Sequence, residues 1–416
     1  MFIYEKNWRM KMPVPVLMLD SKKKAALDAG FQETFTGLPE RYFSAPGRTE
    51  ISGNHTDHQR GCVLAGAVNL DTLAAVRLNG TNTIRIHSKG YPLCEVCLDE
   101  LEPKKSEVNT TPALIRGVAA RFSQLGCKVE GFDAYCESTV LPGSGLSSSA
   151  SFEVLLGTIV NCLFFEKKLS AIEIAQVGQF AENVFFGKPC GLMDQMASSV
   201  GGMVYIDFEK SESPVAHKID FDFTSSGYAL CIIDTGADHA DLTDEYAAVT
   251  QELKDVCAFF GEEQLRSVAK MEFYSNISEL RRMAGDRAVL RAIHIYDENQ
   301  RVILQRQALE DGEFDSFLAY VTESGLSSWR LLQNVIPAGH RVKQEVAVAL
   351  TIAEKLLNGR GACRIHGGGF AGTIQAFVPN DLLDEFKNGI ETVLGEGSCY
   401  VLSIRPQGGV EMEAEG

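Results

Sequence analysis

Residues 141–151, LPGSGLSSSAS, constrain this chain more than any other segment, because a loop of glycine and serine runs there directly into an apolar helical stripe. From Phe152 onward, Leu155, Leu156, Ile159, Val160 and Leu163 recur on one face of a helix. Small residues at a helix entrance leave backbone N–H groups free beside the positive end of the helix dipole, an arrangement that holds phosphate without many cations. Gly143 and Gly145 allow close backbone approach, and Ser147, Ser148 and Ser149 add hydroxyl donors or a magnesium ligand. No lysine follows the second glycine, so this is not a Walker loop. The same residues also read as a serine-rich N-cap on an ordinary helix.

Charge narrows the ligand further. The 416 residues carry 55 acidic and 39 basic side chains, a formal net of -16, which repels nucleic-acid backbones and anionic membranes over most of the surface. Any anionic ligand is therefore held by local groups. The chain is long enough for two or three domains, and its 45% apolar composition is that of a globular protein. The eleven cysteines are an odd number, and the opening MFIYEKNWRMKM has charges where a leader's apolar core would lie. Reduced thiols in a cytoplasmic protein are expected. Cys94 and Cys97 in CEVC have zinc-like spacing without a second pair, so they read as strand or turn cysteines. No apolar run approaches the roughly 20 residues of a membrane span, and no obligate protein partner is evident.

The remaining pattern is α+β. SKKKAALDAGFQETFTG reads as a surface helix, and GCVLAGAV, TLAAVRL, NTIRIHS and GFDAYCEST as separate strands. EVNTTPALIRGVAARFSQLG reads as a helix with a threonine cap, ended by Gly126. AIEIAQVGQFAENVFFG is a further helix, and the polar EKSESPVA near residue 215 marks a domain boundary. This divides the chain into 1–215 and 216–416. Helices are expected between about residues 240 and 358, with strands YALCIIDTG, TIQAFV and CYVLSIRP around them. GGGFAG at 367–372 matches a dinucleotide fingerprint formally, but a strand pattern follows it, so a strand-to-strand turn or a lip over the phosphate site fits better.

Residues 45–61, APGRTEISGNHTDHQRG, crowd Arg48, Glu50, Asn54, His55, Asp57 and His58 into one stretch. HTDH offers His55, Asp57 and His58 as metal ligands with no evident fourth. Taken in order with LPGSGLSSSAS, CGLMDQMASSVGG and IHGGGFAGTIQAF, this stretch resembles the motifs of the GHMP kinases, in the galactokinase branch of that family. The resemblance implies a two-domain GHMP kinase fold with the active site in the interdomain cleft. It implies transfer of a phosphoryl group from ATP to the anomeric hydroxyl of galactose. By the same resemblance Arg48 is the positive group beside the transferring phosphoryl and Asp194 the base. The ATP loop is Gly143, Ser144, Gly145, Leu146, Ser147, Ser148 and Ser149, with Ser149 and Glu182 holding magnesium. The sugar is met by Asn54, His55, Thr56, Asp57, Gly191 and Tyr246. Sugar and ATP are the expected partners.

The pattern departs from the family at one pair. The usual signature has Asn two residues after the arginine and Glu just before the histidine, whereas Glu50 and Asn54 stand here. If the two side chains lie close together, the exchange keeps an internal hydrogen bond and turns the acid away from the sugar. An amide at 54 can also donate, which would tolerate galacturonate beside galactose. The usual Tyr after Asp57 is His58. Arabinose, N-acetylgalactosamine and a silent sugar sensor are the other readings, the last disfavoured because Ser149, Ala150 and Asp194 are all retained.

Overall fold

The computed structural model describes residues 17–140, 145–188, 190–210, 214–237 and 242–414. Gly143 and Ser144 lie outside the described residues. The first sheet has nine strands, β1 (Met18–Leu19), β2 (Arg41–Ser52), β3 (Cys62–Leu78), β4 (Thr83–Ser88), β5 (Cys94–Cys97), β6 (Phe132–Ser138), β7 (Met203–Asp207), β8 (Val215–Ile219) and β13 (Val410–Ala414). The second has four, β9 (Tyr228–Ala237), β10 (Ala362–Ile365), β11 (Gly372–Pro379) and β12 (Cys399–Leu402), in the order β10-β11-β9-β12.

The two strands expected at GCVLAGAV and TLAAVRL are one strand of 17 residues, because neither glycine nor proline breaks Ala67–Leu78. Its length lets β3 serve two neighbours. Thr72–Leu78 pairs with β6, and Cys62–Gly66 pairs with β7. The expected boundary at 215 falls on the first residue of β8, which still pairs with β7. The chain passes to the second sheet between Ile219 and Tyr228 and returns with β13, which lies antiparallel to β2.

Helices cover one face of the first sheet. Leu155, Leu156, Ile159 and Val160 of Ser148–Phe164 pack with Phe43, Val76 and Ile86 of the strands, joined by Ile115 and Phe122 of Thr111–Gln124. The apolar stripe seen in the sequence is thus the core face. The helix begins at Ser148, four residues earlier than the stripe alone marks, so the serine run supplies its first turn. The other face carries the helix Ser21–Thr34, whose Leu27 and Phe31 pack on Leu73, Ala75 and Tyr135, and meets the second sheet: Ile51, Leu64 and Met203 share a core with Leu230, Ile232 and Phe377 and with Phe317 of the helix Phe314–Ser327. Phe317 stacks edge-on against Phe377 at 5.2 Å. Burying such a ring contributes about 3 kcal/mol. The resulting architecture is the expected α+β one.

Candidate active site

Strand β2 carries the first groups. Its register shifts between Pro46 and Arg48 and again between Glu50 and Ser52, so bulges bracket Arg48 and Glu50 and re-aim them. Gly47 lets the Leu146 backbone come close: a Cβ at 47 would lie 2.9 Å from the Leu146 carbonyl oxygen, whereas the Arg48 N–H donates to that oxygen at 3.0 Å. The loop before Ser148–Phe164 is thereby docked on β2. The Arg48 guanidinium forks onto Asp194, Nε to Oδ1 and Nη2 to Oδ2, both at 2.7 Å, and Nη1 donates to the Gly145 carbonyl. Ser147 Oγ donates to Asp194 Oδ2 at 2.7 Å. Three separate segments meet at one carboxylate.

This geometry bears on the two readings of the serine loop. Ser147 is the N-cap residue, yet its backbone is left-handed (φ 57) and its side chain makes no capping bond, having turned to Asp194. The helix therefore opens without a side-chain cap, which leaves its first N–H groups free of a serine acceptor. Gly145 has φ +72, and a Cβ there would stand 2.9 Å from Thr373 Oγ1. Burial pushes the Asp194 carboxyl up, but Arg48 and Ser147 outweigh it and hold the group below the usual aspartate range.

A second wall comes from the turn after β2. His55 Nε2 donates to the Gly368 carbonyl at 2.8 Å, which fixes the proton on that nitrogen. Asp57 approaches Gly191 so closely that a Cβ on the glycine would lie 2.7 Å from Asp57 Oδ2. Arg48, Asp194, His55, Asp57, Lys188 and Gly191 line one cavity of about 240 Å³. Thr56 turns inward, its hydroxyl bonded to the Gly53 and Cys62 carbonyls, at 0% exposure. Tyr246 packs edge-on against Phe370 and donates to the Gly369 carbonyl, so it braces the glycine turn. That turn joins β10 to β11, as the strand pattern after it implied. His58 Nε2 stands 4.0 Å from Asp57 Oδ1, and among the described residues no three His, Cys, Asp or Glu are arranged to hold a metal.

Behind Asp194 lies an acidic corner. Gln195 Nε2 donates to Glu153 Oε2 and to Glu182 Oε2, each at 2.9 Å, and Lys188 Nζ is 3.3 Å from Glu182 Oε1. Glu153 Oε1 and Gln195 Oε1 are buried without a partner. Burial, with Glu182 beside it, pushes the Glu153 carboxyl well up. Ser149 sits one helical turn before Glu153, on the same face. One carboxylate and one hydroxyl beside a phosphate cradle fit magnesium, which keeps several waters and takes further oxygens from substrate phosphates.

The chain matches the family model "GHMP kinases N terminal domain" over residues 113–202 and "Galactokinase galactose-binding signature" over residues 29–78. It is 32% identical over 367 residues to a galactokinase of Mannheimia succiniciproducens, covering 86% of this chain and 90% of the relative. The chain belongs to the galactokinase family. A galactokinase of Glaesserella parasuis is 30% identical over 365 residues, with the same coverage of 86% and 90%. The crystal structure of Lactococcus lactis galactokinase complexed with galactose superposes with a TM-score of 0.77 at 27% identity, over 93% of this chain and 99% of that one. A mevalonate kinase shares the fold, with a TM-score of 0.61 at 14% identity, over 88% of this chain and 100% of that one.

Against the galactokinase pattern, the exchanged pair has a definite place. Asn54 Nδ2 donates to Glu50 Oε1 at 3.2 Å and to the Gly367 carbonyl, while Asn54 Oδ1 accepts from Asn334 Nδ2 at 2.7 Å. Both amide hydrogens are therefore used within the protein. Glu50 Oε1 also accepts from Arg364 Nη2 at 2.8 Å, and burial pushes the Glu50 carboxyl up despite Arg364 and Arg48. Sequence reasoning missed the supports behind this wall. In the helix Asp286–Glu310, His294 Nε2 donates to the Asn54 carbonyl at 3.1 Å, and Glu298 Oε1 accepts from Ser52 Oγ at 3.0 Å and the Gly53 N–H at 3.1 Å. Charged residues recurring on the apolar face of a long helix were the available signal.

Proposed function

We propose that this chain transfers the γ-phosphoryl group of ATP to the anomeric hydroxyl of galactose, giving galactose 1-phosphate and ADP. The observation that carries this reading is the bidentate Arg48–Asp194 pair at the mouth of the uncapped helix. The bond from the sugar oxygen to phosphorus forms as the bond to the ADP oxygen breaks, and the hydroxyl proton passes to Asp194. Arg48 balances the charge on the phosphoryl oxygens, which is most of what a loose transition state requires. Gly145, Leu146, Ser147, Ser148 and Ser149 are the described part of the proposed ATP loop, which the motif resemblance extends to Gly143 and Ser144. Ser149 and Glu182 would hold magnesium, whose chemistry is to neutralise the nucleotide phosphates. His55, Asp57 and Gly191 meet the sugar, while Asn54, Thr56 and Tyr246 shape the wall. Occupied hydrogens on Asn54 argue against a free donor for galacturonate, so galactose leads.

The sequence-derived division into domains 1–215 and 216–416 puts the cradle in the first and the glycine turn in the second. A cytoplasmic setting agrees with the eleven cysteines being free thiols and with the described helices, none of which is long and apolar enough to cross a membrane. The test is a sugar panel with ATP and magnesium, read by ADP release, for the native chain and Asp194→Ala. Galactose should give the highest kcat/KM and the variant a loss of about 1,000-fold or more. Preference for galacturonate would refute the sugar, and full rate in the variant would refute the base.

A further inference from the structure

Glu182 has one ion-pair partner among the described residues. Glu153 and Glu182 are 0% and 3% exposed, and the one amide of Gln195 spends both its hydrogens on them. The cation paired with Glu182 is Lys188, whose side chain is 61% exposed and whose Nζ faces Glu182 Oε1. Lys188 also lines the cavity that holds Arg48 and Asp194. Its flexible four-carbon stem gives the ammonium two destinations, the Glu182 carboxylate and the open cavity.

Resting on the kinase reading above, we propose that Lys188 is a place-holding cation and a further catalytic residue. It neutralises Glu182 while no metal is present, and turns into the cavity to meet the transferring phosphoryl group once Glu182 is given over to a divalent ion. A double charge outcompetes a single one for the same carboxylate, and the released ammonium, on a residue that lines the cavity, is then free to face a phosphoryl group bound there. There it stays protonated and acts only as a counter-charge. Negative charge grows on the phosphoryl and leaving ADP oxygens as the sugar–phosphorus bond forms and the phosphorus–ADP bond breaks, the hydroxyl proton going to Asp194.

The two roles pull one substitution in opposite directions, which a merely structural lysine would not do. In Lys188→Met the competitor is gone, so magnesium titrated calorimetrically into the protein with ADP, without sugar, should bind several-fold more tightly. Sugar-dependent turnover in the same variant should fall about 10- to 100-fold in kcat with KM for galactose nearly unchanged. Lys188→Arg, which keeps the charge, should recover most of the rate. An unchanged kcat overturns the proposal, and so does a magnesium affinity that stays the same or weakens. Native turnover on the sugar panel is the separate control: its absence would sink the kinase reading, whereas the metal titration needs no sugar chemistry.

Discussion

Asn54 Nδ2 and Glu50 Oε1 lie 3.2 Å apart, so the amide and the acid that trade places relative to the family signature are hydrogen-bonded to each other. The acid pairs with Arg364 at 2.8 Å, where both side chains are almost wholly buried, yet it still lines the cavity beside Asn54. The amide is left to fasten the glycine turn through Gly367. The exchange is a reciprocal one. It leaves the two side chains in direct contact.

Glu50→Gln should therefore be costly. It leaves the Arg364 guanidinium, at 0% exposure, without its counter-charge. Breaking one side of such a pair costs about 3–5 kcal/mol. Urea unfolding should show this as a lower midpoint with an unchanged slope. A loss under about 1 kcal/mol would mean the pair is solvated.

Arg48→Lys keeps a positive charge but cannot fork onto both Asp194 oxygens. We expect kcat to fall about 10- to 100-fold. Because Asp194 is held below the usual aspartate range, kcat/KM should show no inflection from it between about pH 5 and 8. A base titrating near neutrality would contradict that geometry.

Gly191→Ala isolates the sugar wall from the chemistry. The added methyl would meet the end of the Asp57 side chain at 2.7 Å, which can move without cost to the fold. KM for the sugar should rise about tenfold, with melting temperature and KM for ATP unchanged. Equal effects on both substrates would show that Asp57 faces elsewhere.

Acid sensitivity should come from His294. Burial, against the opposing pull of Glu298, lowers its pKa to about 4, and its ring is hydrogen-bonded on both sides. Its folded value lies below the unfolded one near 6.5, so the unfolded chain takes up the proton first. The contribution is whole above about pH 6.5 and is lost as pH falls toward 4, on the order of 3 kcal/mol in total. Unfolding free energy followed across that window should slope accordingly, and His294→Gln should flatten it.

The helix Ser148–Phe164 and the glycine turn were legible because periodicity and small-residue punctuation are local signals. Arg48 and Asp194 were legible through motif resemblance, and the backbone explains their meeting through Gly47 and the β2 bulges. Glu298 and His294 were not, since each is a single polar residue whose partners at 52–54 lie some 240 residues away in the chain. Nor was the bond of Ser147 to Asp194, because a serine at a helix entrance reads first as a cap. The gap expected inside β3 fell at residues 69–71, where Asn69 is exposed and its N–H donates to the Ser403 carbonyl.

β13 has a consequence for synthesis on the ribosome. The strand that borders β2 is translated more than 350 residues after it, so a nascent chain carries Arg48's own strand with a bare edge through most of its elongation. Newly made protein should be vulnerable to sticking and proteolysis until residues 410–414 emerge. Gene fusions that delay or block that region would lower yield without altering a single residue of the catalytic cleft.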